Sequence, residues 1–92
     1  MDKPNPNREQ NAVVIKAEDE VAKGRFANMA QVASSQDSFV LDFAFVQGKQ
    51  GWLLSRMLMS PQHAKRFSVA LAETIAKHEA RHGVIESGPT LQ

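Results

Sequence analysis

Apolar residues fall in an alternating pattern from Phe39 to Met59 and recur every three or four positions after Pro61. The change of period at Met59-Ser60-Pro61 marks where a β region ends and a helix begins. Ser60 is a helix N-cap, its hydroxyl placed to accept a backbone N–H that has no partner within the helix. Pro61 then stands at the first helical position, where its missing N–H costs nothing and its fixed φ suits the helix. The helix is predicted over 61–82, with Gly83 as the residue past its end.

Upstream, 52–59 and 39–46 read as strands, the second aromatic and β-branched. Gln47-Gly48-Lys49-Gln50-Gly51 is a hairpin loop between them. Residues 26–33 make a further strand, with Ser34-Ser35-Gln36-Asp37 as its turn. Residues 12–17 (Ala-Val-Val-Ile-Lys-Ala) form a short β-like piece, and 18–24 a charged connection. The pattern thus predicts an α+β domain: an antiparallel sheet of three or four strands in meander order, followed by one long C-terminal helix packed on one face.

Register follows from the loops. Centred on Lys49, the second hairpin pairs Val46 with Trp52, Ala44 with Leu54, Asp42 with Arg56 and Val40 with Leu58. The only charged residues of these two strands then meet as a structural ion pair. The first hairpin, centred between Ser35 and Gln36, pairs Val32 with Phe39, Ala30 with Leu41 and Asn28 with Phe43. One face collects Phe26, Ala30, Val32, Phe39, Leu41, Phe43, Phe45, Leu53, Met57 and Met59, the expected seat of the helix. The other carries Met29, Val40, Ala44, Val46, Trp52, Leu54 and Leu58 around the Asp42–Arg56 pair. That second face is too apolar for solvent, and one helix does not cover both sides of a sheet.

The helix shows the same excess. Its main stripe is Ala64, Phe67, Leu71, Thr74, Ile75, His78 and His82. Val69, Ala72, Ala76 and Ala80 lie on the far side. Alanine's helix propensity accounts for them in the plainer reading; a helix–helix seam is the sharper one.

Length changes the weight of these observations. The chain has 92 residues, with tails expected at 1–11 and 87–92 around a single domain at 12–86. About 70 residues is a size at which burial is barely sufficient and oligomerisation often supplies the rest. With no cysteine there is no disulfide framework and no thiolate metal site. A cytoplasmic setting is the simplest fit, and neither a signal peptide nor a membrane span is legible. Eleven basic against ten acidic residues, net charge +1, give no general pull toward nucleic acid or anionic membrane. Lys65, Arg66, Lys77 and Arg81 are interleaved with Glu73 and Glu79, as on a solvated helix surface.

One motif resembles chemistry. His78-Glu79-Ala80-Arg81-His82 has the His-Glu-x-x-His spacing that places two imidazoles on one helical face for zinc, with the glutamate as base. A catalytic zinc needs a third protein ligand. The remaining histidine, His63, stands fifteen residues before His78 on the same helix, about 22 Å away. The motif reads instead as the edge of the core stripe. No catalytic residue, metal site or cofactor is expected.

The blocks Gly24-Arg25-Phe26-Ala27-Asn28, Ser38-Phe39-Val40-Leu41-Asp42-Phe43, Ser55-Arg56-Met57-Leu58-Met59-Ser60-Pro61-Gln62-His63-Ala64-Lys65-Arg66 and Ala76-Lys77-His78-Glu79 with Gly83 carry a family resemblance. Together they resemble an uncharacterised family of small bacterial and archaeal domains of unknown function. The resemblance implies aromatic packing positions at 78 and 82, and a genuine first strand at 12–17. It brings no activity. The expected role is a non-enzymatic, self-associating protein-interaction module, most simply a homodimer. Its interface is expected at Val40, Val46, Trp52, Leu54 and Leu58, with Val69, Ala72 and Ala76 on the helix as a weaker candidate. The alternative is a chaperone-like or adaptor protein offering the same apolar face to client segments; a metal-dependent hydrolase ranks third.

Overall fold

A computed structural model describes residues 12–88. Its elements are a short helix α1 (Asp19–Lys23), strands β1 (Met29–Ser34), β2 (Phe39–Gln47) and β3 (Gln50–Met59), and a long helix α2 (Pro61–His82). The three strands form one antiparallel sheet in the order β1-β2-β3. This is the expected α+β meander followed by a C-terminal helix.

The helix boundaries follow from local chemistry. The Ser60 hydroxyl accepts the His63 N–H at 3.1 Å, and Pro61 occupies the first turn. At the other end Gly83 takes φ +93° and donates its N–H to the Glu79 carbonyl at 2.8 Å. An L side chain rarely adopts that φ, which is why glycine stands there.

The second hairpin is closed by a two-residue turn, Gly48-Lys49, with Gln47 opposite Gln50. Gly48 has φ +65° while Lys49 stays negative, as glycine at the first position of a type II′ turn requires. The turn therefore centres between residues 48 and 49, one half-step from the position the loop composition predicts. Trp52 consequently faces Phe45, Leu53 faces Ala44 and Gly51 faces Val46. A β-bulge then shifts the register between Phe43 and Ala44, so that Ser55 faces Phe43 and Leu54 has no opposite residue. Beyond the bulge the predicted register returns: Asp42 faces Arg56 and Val40 faces Leu58.

The first hairpin departs by an even step. Val32 faces Leu41 and Ala30 faces Phe43, two residues from the predicted partners. Side chains alternate with period two, so each stays on its predicted face. The offset arises because the turn spans residues 35–38, closed by the Ser35 N–H donating to the Ser38 carbonyl at 2.9 Å. Before β1, Asn28 continues the ladder with its side chain. Its amide donates to the Val46 carbonyl at 2.9 Å, and its carbonyl accepts the Val46 N–H at 2.8 Å.

Two expectations about the remaining segments change. Residues 12–17 carry no strand, because no neighbouring strand reaches them. The charged connection contains α1, which has Asp19 and Glu20 in its first turn and Lys23 in its last. That arrangement complements the helix dipole, and Lys23 bonds Glu20 at 3.1 Å.

The helix does not pack on the sheet. Extensive contact between elements is confined to neighbouring strands, and α2 has no buried residue. The cause lies in the join: Ser60 alone separates β3 from α2. Turning a chain back onto its own sheet usually takes a loop of two to six residues. Among the described residues Leu41, 7% exposed, is the one buried hydrophobic side chain. The expected tail at 1–11 and most of that at 87–92 lie outside the described residues.

Candidate association surface

The hairpin geometry divides the sheet into two faces. Leu41 lies with Phe39, Phe43 and Phe45 of β2, and with their partners Trp52, Met57 and Met59. The half-step at the Gly48-Lys49 turn carries Trp52 onto this side, away from the face expected for it, and sends Leu53 the other way. Leu54 also leaves the expected face. As the extra residue of the bulge, it lines a groove of about 490 Å³ with Phe43, Ser55 and Met57. Glu20, Val21, Gly24, Arg25 and Ala27 form the opposite wall. A sequence signal for the bulge exists: Leu53-Leu54 is an adjacent apolar pair that interrupts the alternation of β3.

The second face carries Val40, Ala44 and Val46 of β2 with Leu58 and Leu53 of β3 and Met29 of β1. Val40 and Val46 are half-buried, whereas Leu58 is 67% exposed. Across its middle runs a polar row. Gln31 faces Asp42, and Asp42 faces Arg56. The Arg56 guanidinium donates to both carboxylate oxygens, Nε to Oδ1 at 2.8 Å and an Nη to Oδ2 at 2.9 Å. Two parallel bonds fix the fork against the carboxylate plane. These hydrogen bonds hold the Asp42 carboxyl below its usual value; partial desolvation opposes them, and the guanidinium charge adds to them.

On α2, the stripe residues Phe67, Leu71 and Ile75 are exposed, as are Val69, Ala72 and Ala76 on the far side. Both apolar faces of the helix are therefore open in the single chain. Nothing in this geometry ranks the alanine face above the Phe67–Leu71–Ile75 stripe.

The His-Glu-x-x-His motif is absorbed by the helix end. His78 and His82 lie with ring centroids 4.7 Å apart. The Glu79 carboxylate accepts the Ile85 N–H at 2.9 Å, so it ties down the segment after the helix. Among the described residues, no group of three or more His, Cys, Asp or Glu side chains stands placed to hold a metal ion. No helix among them is long and apolar enough to cross a membrane.

A family model described as "Protein of unknown function (DUF3467)" matches residues 1–87. No curated protein and no solved structure matches the chain.

Proposed function

The chain belongs to this family of proteins of unknown function, and we propose that it is a non-enzymatic, self-associating interaction module, a homodimer in its simplest form. One observation carries the reading. Leu41 is the one buried hydrophobic side chain among the described residues, while sixteen large hydrophobic side chains are exposed. Burying one leucine contributes about 1.5–3 kcal/mol. Ordering the backbone costs about 1–2 kcal/mol for each residue. Even with its half-buried neighbours, so small a core does not offset the ordering of three strands and a 22-residue helix. Most helix stability in proteins comes from packing an apolar face, and α2 lacks that packing within its own chain. A second copy supplies it.

The second sheet face is the proposed seat, through Val40, Val46, Leu58 and Leu53, with α2 contributing Phe67, Leu71 and Ile75. The test is sedimentation equilibrium of the full chain across micromolar concentrations, with Leu58→Asp as the variant. Leu58 is exposed in the single chain, so the substitution leaves one copy's own contacts almost intact. A dimer that Leu58→Asp weakens at least tenfold is expected. A wild-type chain that stays monomeric would overturn self-association and favour the client-binding alternative.

A further inference from the structure

We propose that residues 12–17 are an exchanged arm: Val13-Val14-Ile15 of one copy adds as a fourth strand along the outer edge of β1 in a second copy, and the second copy reciprocates. The proposal rests on the self-association reading and names one part of the contact.

The arm has the chemistry of a strand without a sheet. Val13, Val14 and Ile15 are 80%, 84% and 86% exposed. They are three consecutive β-branched residues, stiff at χ1 and suited to a pleated surface. An added strand supplies main-chain hydrogen bonds along its length, with alternate side chains giving specificity.

The receiving edge is distinguished by what it lacks. Sheets protect exposed edges with charges, prolines or bulges. β3 has two such devices, the bulge at Leu54 and the guanidinium of Arg56. β1 reads Met-Ala-Gln-Val-Ala-Ser, with neither charge nor proline, and its pairing with β2 runs without a bulge. Among the described residues no strand pairs with its outer side.

Geometry puts the arm in trans. Residues 20, 21, 24, 25 and 27 share the groove with Phe43 of β2 and with Leu54, Ser55 and Met57 of β3, and no β1 residue lines it. The chain therefore leaves β1, crosses the sheet and places α1 toward the β3 side. The free edge of its own β1 then lies at least two strand spacings away, about 10 Å. Residues 16–18 separate Ile15 from α1, three residues span about 11 Å at most, and a strand added outside β1 lies a further spacing of about 5 Å beyond that edge. An edge belonging to a second copy carries no such restriction.

The surface to be covered is large enough for an obligate pair. The chain exposes 8688 Å², whereas a compact chain of 10.2 kDa exposes about 5,300 Å². The excess is about 3,400 Å² per chain, or about 6,800 Å² for two copies, more than the roughly 2,000–5,000 Å² in total that obligate homodimers bury.

The chain contains no cysteine, so single introduced thiols report contacts uniquely. Full-length Val14→Cys, labelled with ¹⁵N, is unfolded and refolded together with unlabelled Gln31→Cys, then treated with a short bismaleimide. A covalent dimer of mixed isotopic mass is the expected product, and Val14→Pro should weaken the wild-type dimer at least tenfold. A cross-link from Val14→Cys to Leu53→Cys on β3, in place of Gln31→Cys, would overturn the choice of edge. Cross-linking within a single chain carrying both Val14→Cys and Gln31→Cys, at monomer mass, would overturn exchange. A wild-type dimer without the mixed product refutes the arm alone, whereas a wild-type monomer refutes the self-association beneath it.

Discussion

Asn28 uses its side chain as a backbone, meeting both the N–H and the C=O of Val46 across the sheet at 2.8 and 2.9 Å. Its own N–H bonds the Ala44 carbonyl at 3.1 Å. One residue thus extends β1 past its first strand position and anchors the segment that leads to α1.

Replacing Asn28 with Ala removes both side-chain bonds. At about 0.5–1.5 kcal/mol each, the expected loss is about 1–2 kcal/mol, since the site is exposed. Asn28→Asp keeps an acceptor for the Val46 N–H but sets a carboxylate against the Val46 carbonyl, and should be no better than Ala. Urea unfolding at fixed protein concentration measures both.

A double-mutant cycle on Asp42 and Arg56 should be non-additive. Removing either partner leaves the other among Val40, Ala44, Leu53 and Leu58 without its counter-charge, so the two single losses together should exceed the loss in the double variant. Asp42→Ala, Arg56→Ala and the double variant are compared by denaturant midpoint. Additive losses would show that the fork contributes no coupling.

The same pair sets an acid dependence. The folded Asp42 carboxyl titrates below its ordinary value, so the unfolded chain takes up that proton first as pH falls. Stability from the pair is then complete above about pH 4, the ordinary carboxyl range, and is lost as pH drops through the lower folded value. The stability gap between wild type and Asp42→Asn should shrink below about pH 4. Unfolding midpoints at neutral and acid pH check this.

Ser60→Ala should destabilise the chain by about 0.5–2 kcal/mol, through loss of the bond to the His63 N–H. Ser60→Asp should retain most of the stability, because a carboxylate caps the same site and favours the helix N-terminus. Thermal unfolding monitored by circular dichroism distinguishes the two.

Glu79→Gln should behave like wild type in mass, stability and zinc content, because the amide oxygen still accepts the Ile85 N–H. Zinc titration followed by elemental analysis tests this. Tight one-to-one binding that Glu79→Gln abolishes would restore the metal reading of His78 and His82.

The parts legible in the sequence are those fixed by short-range chemistry. Ser60, Pro61 and Gly83 gave the helix bounds, and the alternation of apolar residues gave β2 and β3. Asp42 faces Arg56 as predicted even though the turn lies half a step from the expected centre, because the bulge at Leu54 cancels the offset beyond it. Between turn and bulge nothing cancels it, and Trp52, opposite Phe45, lies on the other face from the one a loop centred on Lys49 predicts. Glycine followed by another residue in a two-residue loop is a known hairpin signature and would have corrected this. The acidic start, basic end and following Gly24 of α1 were likewise readable as a helix. Packing of α2 was not, since it depends on a join one residue long. The strand expected at 12–17 needs a neighbour that the single chain does not bring to it.

The meander also dictates the order of events in folding. Each strand pairs with the one next to it in sequence, through turns of four residues and two, so the loops to be closed are short. Such hairpins form in roughly 1–10 μs, and topologies rich in local pairing fold quickly. In the proposed dimer, a sheet that assembles this fast, with little interior of its own, then waits on a bimolecular encounter. Refolding should therefore show a fast phase indifferent to dilution, followed by a slower one whose rate rises with the concentration of chains.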